Sequence, residues 1–473
     1  MPSYGRRTDG VAMTTIPTEP SQPRAGVGRP DRKRSSALLW LLARRVHFMA
    51  GLLVAPFLAV LALTGLAYAF TPQINDVLYG DELYVEAHTG SPRPLSEQVA
   101  AALAVHPDAH VTSVIPAEDP DRTARVVLAG VEGLKQTGSH FSSESLTVYV
   151  DPYTGGVNGE LVTVDNRPPA QVWLRELHGN LHLGDLGRLY SEFVASWLPF
   201  IVLGGLVLWL SKRARGRSLR AVLVPSFTAK GRARNRSWHG VLGLWLAVGL
   251  LGISITGLTW SNYAGGRVDA AITALNGKTP LLSVPEVTAV DSAEPISFDR
   301  AVEVARSEGL QGELTLVPPH AAEGPFTVEE SSDGLPIRKT SVVIDPYTEQ
   351  VTARQGWEDY PLMAKLTSIG VDAHSGTLFG LANQLALALL ALGSLVLLGL
   401  GYRMWWQRRP TRSGRTSPAP VWRNMSVPML VVVLLAAGAL GWAMPVFGVT
   451  LVAFVVLDGT VNALRRRTRV SAA

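Results

Sequence analysis

Ten histidines are the strongest candidates for metal chemistry in this chain, because its 473 residues include no cysteine. Without thiols there is no disulfide, no Cys-ligated iron–sulfur cluster, no Cys-zinc site and no covalent C-x-x-C-H haem. Four histidines recur in a pattern. RRVHFMAG (44–51), carrying His47, returns as RSWHGVLG (236–243), carrying His239, at an offset of 192. His178 and Gly184 return as His374 and Gly380 at an offset of 196. Thr64-Gly65 returns as Thr256-Gly257, VYVDPYTGGV (148–157) as VVIDPYTEQV (342–351), and Trp209 and Arg213 as Trp405 and Arg409. The chain is an internal duplication.

His47 and His239 each precede a glycine, Gly51 or Gly243, by four residues. On a helix, i and i+4 share a face, so a glycine there leaves room for a flat ring. Helices that each offer one histidine are how bundles hold planar cofactors, and bis-His ligation of a b-type haem asks for this arrangement. Zinc and copper also accept imidazole, but no carboxylate or third histidine accompanies His47 or His239. Two ligands and a planar group fit better. His182 follows His178 by four residues, an H-x-x-x-H that could make a helical metal pair. The second half has Leu378 at that place, so His178 is the preferred ligand and His182 the lesser alternative. His88, His106, His110, His140 and His320 share no spacing and read as surface residues.

The elements that position these residues are apolar. GLLVAPFLAVLALTGLAYAF (51–70) and ANQLALALLALGSLVLLGLG (382–401) hold no charge over about 20 residues, enough to cross a bilayer as helix. A single soluble globule is excluded. The reading is a multi-pass α-helical membrane bundle: four core helices from the duplication, at 36–70, 189–211, 239–262 and 374–404, plus a C-terminal helical hairpin at 428–460. The hairpin is broken at Gly441 and Pro445, and each arm is short for a full span. A tail at 1–35, rich in Pro, Arg, Ser and Gly, reads as disordered. Its Arg6-Arg7 lacks the apolar run a twin-arginine signal needs.

Charge sorts the connections. Residues 1–47, 211–238 and 403–427 carry 9, 9 and 6 Lys/Arg against 3, 0 and 0 acids, and the tail from Asp458 carries 4 Arg. Residues 71–188 carry 7 Lys/Arg and 16 acids, and 263–370 carry 8 and 16. The positive-inside bias therefore places the N-terminus, the loops 212–238 and 405–427 and the tail 461–473 in the cytoplasm, and two domains, 71–188 and 263–373, outside. His47 and His239 then lie near the inner face, His178 and His374 near the outer one. The net charge of +5 averages two compartments and speaks for orientation and anionic lipid, not nucleic acid. Trp209, Trp238, Trp260, Trp405 and Trp406 cluster at span ends as an interfacial belt, with a place beside haem as a secondary role. No G-x-G-x-x-G after a strand and no P-loop points to a built-in NAD or flavin domain.

Each outside domain reads as α+β. SEQVAAALAV (96–105) and SFDRAVEVAR (297–306) have helical spacing, β-rich runs follow, and both reach an Asp-Pro-Tyr-Thr turn, read as structural.

With these motifs laid out, the chain resembles the PepSY-associated transmembrane (PepSY-TM) family, the iron-regulated membrane proteins that include ferrisiderophore reductases. RRVHFMAGLLVAPFLAVLALTG, LHGNLHLGDLGR, RSWHGVLGLWLAVGLLGISITGLTW, HSGTLFG and GYRMWWQRRP carry the likeness, which covers roughly residues 40–460. The resemblance implies PepSY-like outside domains and a bundle that, in reductase members, holds two b haems and passes electrons outward. By position the ligands would be His47, His178, His239 and His374. The expected function is a transmembrane di-haem oxidoreductase of the bacterial cytoplasmic (inner) membrane. It would take electrons from an unidentified donor and reduce a ferric chelate, such as a ferric siderophore, at the outer face. The alternative is a PepSY-type envelope sensor or protease inhibitor whose helices are inert anchors. A metal transporter is disfavoured, because the spans lack midplane carboxylates.

Overall fold

The structure, a computed structural model, describes residues 32–86, 90–135, 143–211, 218–285, 294–321, 324–332, 336–407 and 425–470, with Met1, Ser3, Gly5 and Val287 singly. Most of the 1–35 tail, most of the 405–427 loop, residues 471–473, His88 and His140 lie outside the described residues.

The first half runs α1 (Arg32–Ala69), α2 (Thr71–Leu78), α3 (Gly80–Leu83), α4 (Leu95–Val105), β1 (His110–Ile115), β2 (Ala124–Ala129), β3 (Glu144–Val150), β4 (Val157–Val164), α5 (Pro169–Asn180) and α6 (Gly184–Leu210). After a short α7 (Leu219–Leu223) the order returns: α8 (Gly231–Thr259), α9 (Tyr263–Ala274), α10 (Phe298–Ser307), β5 (Glu313–Val317), β6 (Phe326–Ser331), β7 (Ser341–Ile344), β8 (Val351–Gln355), α11 (Leu362–Ser375) and α12 (Leu381–Trp406). Two further helices, α13 (Val427–Ala443) and α14 (Pro445–Val470), close the chain.

Among the described residues, four helices are long and apolar enough to cross a membrane: Trp40–Ala69, Gly184–Leu210, Gly231–Thr259 and Leu381–Trp406. They form a square in which α1 packs on α6 and α12, and α8 packs on the same two. Thus α1 and α8 lie on one diagonal and α6 and α12 on the other. Val54, Leu58, Val194, Trp197, Leu198, Ala247, Leu250 and Leu390 fill the centre. The α13–α14 pair forms the expected hairpin, with Pro445 starting the second arm, which continues to Val470 instead of ending near 460. It grips α6 through Phe447 and Phe454 against Trp197, whose indole N–H donates to Thr450 Oγ1 at 2.8 Å.

The fourth span differs from the expected 374–404. His374 belongs to the separate helix α11, because Gly376 (φ +92°) and Gly380 (φ +52°) adopt left-handed backbone between α11 and α12. The first half does the same, with Leu181, His182 and Gly184 at positive φ between α5 and α6. Positive φ favours glycine, which explains why Gly184 and Gly380 recur at matching places.

The α+β segments 71–188 and 263–373 do not make separate sheets. Their strands join in one antiparallel eight-stranded sheet, ordered β4-β3-β2-β1-β5-β6-β7-β8, with Val114 opposite Leu316 at the seam. One apolar core serves both halves: Leu95, Val99 and Ala102 of α4 and Ala301 and Ala305 of α10 cover Val114, Leu128, Val148, Leu314, Leu316 and Val328. Asp299 of α10 fastens the halves. Its carboxylate accepts from the backbone N–H of Leu95 and Ser96 at 2.6 and 3.1 Å and from the Ser96 hydroxyl at 2.6 Å. These are the otherwise unsatisfied donors at the start of α4. Both Asp-Pro-Tyr-Thr motifs are turns, with Asp151 and Asp345 accepting at 2.8 Å from the N–H of Tyr153 and Tyr347. They close the β3–β4 and β7–β8 hairpins.

Candidate functional site: two facing histidine pairs

The bundle has a sheet end, where α1 and α8 finish, and a loop end, where they begin. Each end holds one pair of repeat-matched histidines.

At the loop end, His47 on α1 faces His239 on α8 across the bundle diagonal, with ring centroids 6.1 Å apart and planes at 75°. His47 Nδ1 lies 2.8 Å from the Ile201 carbonyl on α6, and His239 Nδ1 lies 3.1 Å from the Leu397 carbonyl on α12. At the sheet end, His178 on α5 faces His374 on α11 with centroids 6.4 Å apart and planes at 57°. Here Nδ1 of His178 meets Thr64 Oγ1 at 3.1 Å, and Nδ1 of His374 meets Thr256 Oγ1 at 2.7 Å. All four sequence candidates are therefore brought together, two by two.

Each ring rests on a glycine of a neighbouring helix. A Cβ added at Gly205 would stand 3.0 Å from His47 Cε1, and one at Gly65 would stand 2.8 Å from His178 Cε1. At Gly401 and Gly257 the corresponding distances to His239 and His374 are 3.8 and 3.6 Å. The glycines singled out by the i+4 spacing do not touch the rings. A Cβ at Gly51 meets nothing within 4 Å, and one at Gly243 meets only Leu397 at 3.7 Å. The i+4 glycines leave open space, and the glycines across the helix interface make the cradle.

Aromatic rings flank the sheet-end pair. Tyr68 stacks on His178 at 6.4 Å and 9°, and Trp260 meets His374 edge-on at 5.1 Å. Tyr68 and Trp260 stand at the 192 offset, one turn after Thr64 and Thr256. Of the expected aromatic belt, Trp209 is a buried residue that donates to the Val222 carbonyl at 3.1 Å, and Trp260 is a histidine neighbour. Trp238 and Trp406 stay exposed. His182 faces away from the pair: its Nδ1 meets Glu176 at 3.2 Å and its ring meets Trp173 at 5.0 Å. His106 pairs with Glu160 at 2.9 Å.

The chemistry of this donor set follows from the hydrogen bonds. A carbonyl oxygen only accepts, so Nδ1 of His47 and His239 must carry the proton, and Nε2 is then a bare lone pair. Thr64 and Thr256 spend their single hydroxyl proton on helix carbonyls, Thr64 on Val60 and Leu61 at 3.0 and 3.1 Å, Thr256 on Gly252 and Ile253 at 3.0 and 3.2 Å. With the proton so placed, each oxygen keeps a lone pair that can accept from its sheet-end ring. Two facing imidazoles in this tautomer have no proton to share with one another.

Spacing gives a second test. A direct N–H···N bond of about 2.9 Å, with about 1.2 Å from nitrogen to ring centre, puts aligned centroids about 5.3 Å apart. Two imidazoles on opposite sides of one metal, with bonds of about 2.0 Å, stand about 6.4 Å apart. Both observed separations match the second value. Among the described residues no group of three His, Cys or carboxylate side chains gathers as a metal site, so each pair would supply two imidazole nitrogens to a bound group. Such a donor set would suit a cofactor that supplies the other ligands of its metal itself.

Four apolar spans in a bundle define a multi-pass helical membrane protein. The family described as the PepSY-associated TM region matches residues 44–408. The chain belongs to that family. No curated protein matches it.

Proposed function

We propose that the chain is a transmembrane di-haem b electron-transfer protein that reduces a ferric chelate, such as a ferric siderophore, at the sheet-bearing face of the bacterial cytoplasmic membrane. The single observation that carries this reading is the spacing of the two facing pairs, His47–His239 at 6.1 Å and His178–His374 at 6.4 Å, with every Nδ1 within hydrogen-bond distance of a carbonyl or hydroxyl oxygen. Haem, when bound, supplies one-electron chemistry at its iron.

The chain's own residues do the rest. His47 and His239 would hold the loop-end group, His178 and His374 the sheet-end group. From His47 to Thr64, the partner of His178, is a rise along α1 of about 25 Å, so the two pairs stand on opposite sides of the apolar layer. Val54, Leu58, Val194, Leu198 and Leu250 exclude water from that layer. The basic loop end faces the cytoplasm by the positive-inside bias, which makes it the side of the electron donor. The acidic segments, read as PepSY-like, form the extracytoplasmic cap of the acceptor side. Reduction of iron to the ferrous state weakens its hold on hard oxygen ligands and frees it. The alternative reading, an envelope sensor or protease inhibitor on inert helices, gives no role to four anchored rings.

The test is an absorption spectrum of the protein purified from cells supplied with haem. A Soret band and a reduced α-band are expected. Their absence in a folded preparation overturns the reading.

A further inference from the structure

The two histidine layers differ in what receives the Nδ1 proton. At the loop end the acceptors are the main-chain carbonyls of Ile201 and Leu397, which stand at the 196 offset. At the sheet end hydroxyl oxygens take part: Thr64 beside the Leu61 carbonyl at His178, and Thr256 at His374.

We infer that Thr64 and Thr256 are positioning residues for the sheet-end pair: they lock the His178 and His374 rings in the tautomer that frees Nε2 and set how strongly these rings donate to a bound iron. The inference rests on the haem reading above and goes beyond it by assigning control of one layer to two side chains.

A threonine bonded to its own i−4 carbonyl is common in membrane helices and means nothing alone. Three further observations separate these two. The hydroxyl of each lies within donating distance of two helix carbonyls, so its oxygen can keep a lone pair for the imidazole. Both copies of the repeat make the same contact, at 3.1 and 2.7 Å, to a ring facing its partner across the pair. And each threonine opens a Thr-Gly-x-x-aromatic segment that supplies three contacts to one ring. Thr64 bonds His178, Gly65 lies under its Cε1, and Tyr68 stacks on it; Thr256 bonds His374, Gly257 lies under its Cε1, and Trp260 meets it edge-on. One helical turn thus fixes the ring in rotation, in tilt and in tautomer.

An acceptor on the far nitrogen raises the basicity of the ligating one and so favours the oxidised metal. Removing it lowers that basicity and raises the reduction potential. The loop-end acceptors are peptide groups beyond the reach of a side-chain change, whereas the Thr64 and Thr256 hydroxyls can be removed, Thr256 most cleanly because the Leu61 carbonyl stays beside His178. The loop-end layer is therefore an internal reference.

The experiment is a spectroscopic redox titration of purified wild type, Thr64→Val, Thr256→Val and the two serine variants. The sheet-end component is identified as the one lost in His178→Ala. In each valine variant that component is expected to move to a more positive potential while the other stays in place. Its ferric low-spin EPR signal should move with it. Thr64→Ser and Thr256→Ser keep an acceptor oxygen and should titrate as wild type. A sheet-end component that does not move, or a common shift of both components, overturns the proposal. Where a valine variant loses the sheet-end component outright, the serine variant decides: its component must persist, and its loss overturns the tautomer argument. A wild type without haem overturns the haem reading and this inference with it; two haems with an unmoved sheet-end component overturn this inference alone.

Discussion

Gly65→Ala separates a ligand cradle from an ordinary helix glycine. The added methyl would stand 2.8 Å from His178 Cε1, whereas at the repeat-matched Gly257 it would stand 3.6 Å from His374. Carbon atoms attract best at about 3.5–4.0 Å, so Gly257 has room for the methyl and Gly65 is overfilled by about 0.7 Å or more. His178 has little freedom to retreat, held by Thr64 and stacked on Tyr68. Overpacking of this kind costs about 1–3 kcal/mol. Against it, replacing glycine by alanine inside a helix gains about 0.5–1 kcal/mol. Gly257→Ala should show only the gain, and Gly65→Ala should lie below it by the overpacking cost, which is about 5- to 150-fold if expressed as sheet-end cofactor affinity. The assays are the apparent melting temperature in detergent and the cofactor retained at each layer. A Gly65→Ala variant as stable as Gly257→Ala, with an unchanged sheet-end component, would refute the cradle.

Further outcomes follow from the same contacts. His182→Ala should leave the sheet-end component intact while His178→Ala removes it, as read by optical spectra, because Glu176 and Trp173 hold His182 away from the pair. Asp299→Ala removes the cap of α4 and should destabilise the sheet by about 1 kcal/mol, read by thermal melting followed by circular dichroism. Although burial pushes the Asp299 carboxyl up, the hydrogen bonds from Ser96 and from the Leu95 and Ser96 N–H groups hold it below the ordinary 3.8. A depressed carboxyl stabilises the fold above its unfolded value and loses that contribution as pH falls below about 4; Asp299→Asn should flatten this acid limb of the stability profile. Asp458→Ala breaks the ion pair with Arg45 that ties α14 to α1 and should cost about 1–2 kcal/mol, seen as easier proteolysis of the C-terminal hairpin.

The pairing of the histidines was legible in the chain because duplication copied both histidines of each half and their depths. His47 and His239 open matched spans, and His178 and His374 precede matched spans, so topology alone set them face to face. The helices carrying His178 and His374 were less legible, since the breaks after them lie in backbone conformation. Their sign was the repeat of Gly184 as Gly380, where positive φ is needed. The ring cradles were hidden for a different reason. Spacing along one helix reports i+4 neighbours, and Gly51 and Gly243 are such neighbours. The glycines under the rings, Gly205 and Gly401, come from the adjoining helices and are found only by carrying the 196 offset through the second span of each half. Tyr68 and Trp260 share the 192 offset, but their different side chains disguise the match. The single sheet could not be read from strand patterns, because Val114 and Leu316 pair across about 200 residues of sequence with no turn signal between them.

The central claim is one haem for each histidine pair, and the most direct measurement is the haem-to-protein ratio of purified protein. The account predicts two per chain in the wild type and one in His239→Ala, with the remaining haem showing the sheet-end component. A ratio of zero or one in a folded wild type, or two retained in His239→Ala, would contradict it.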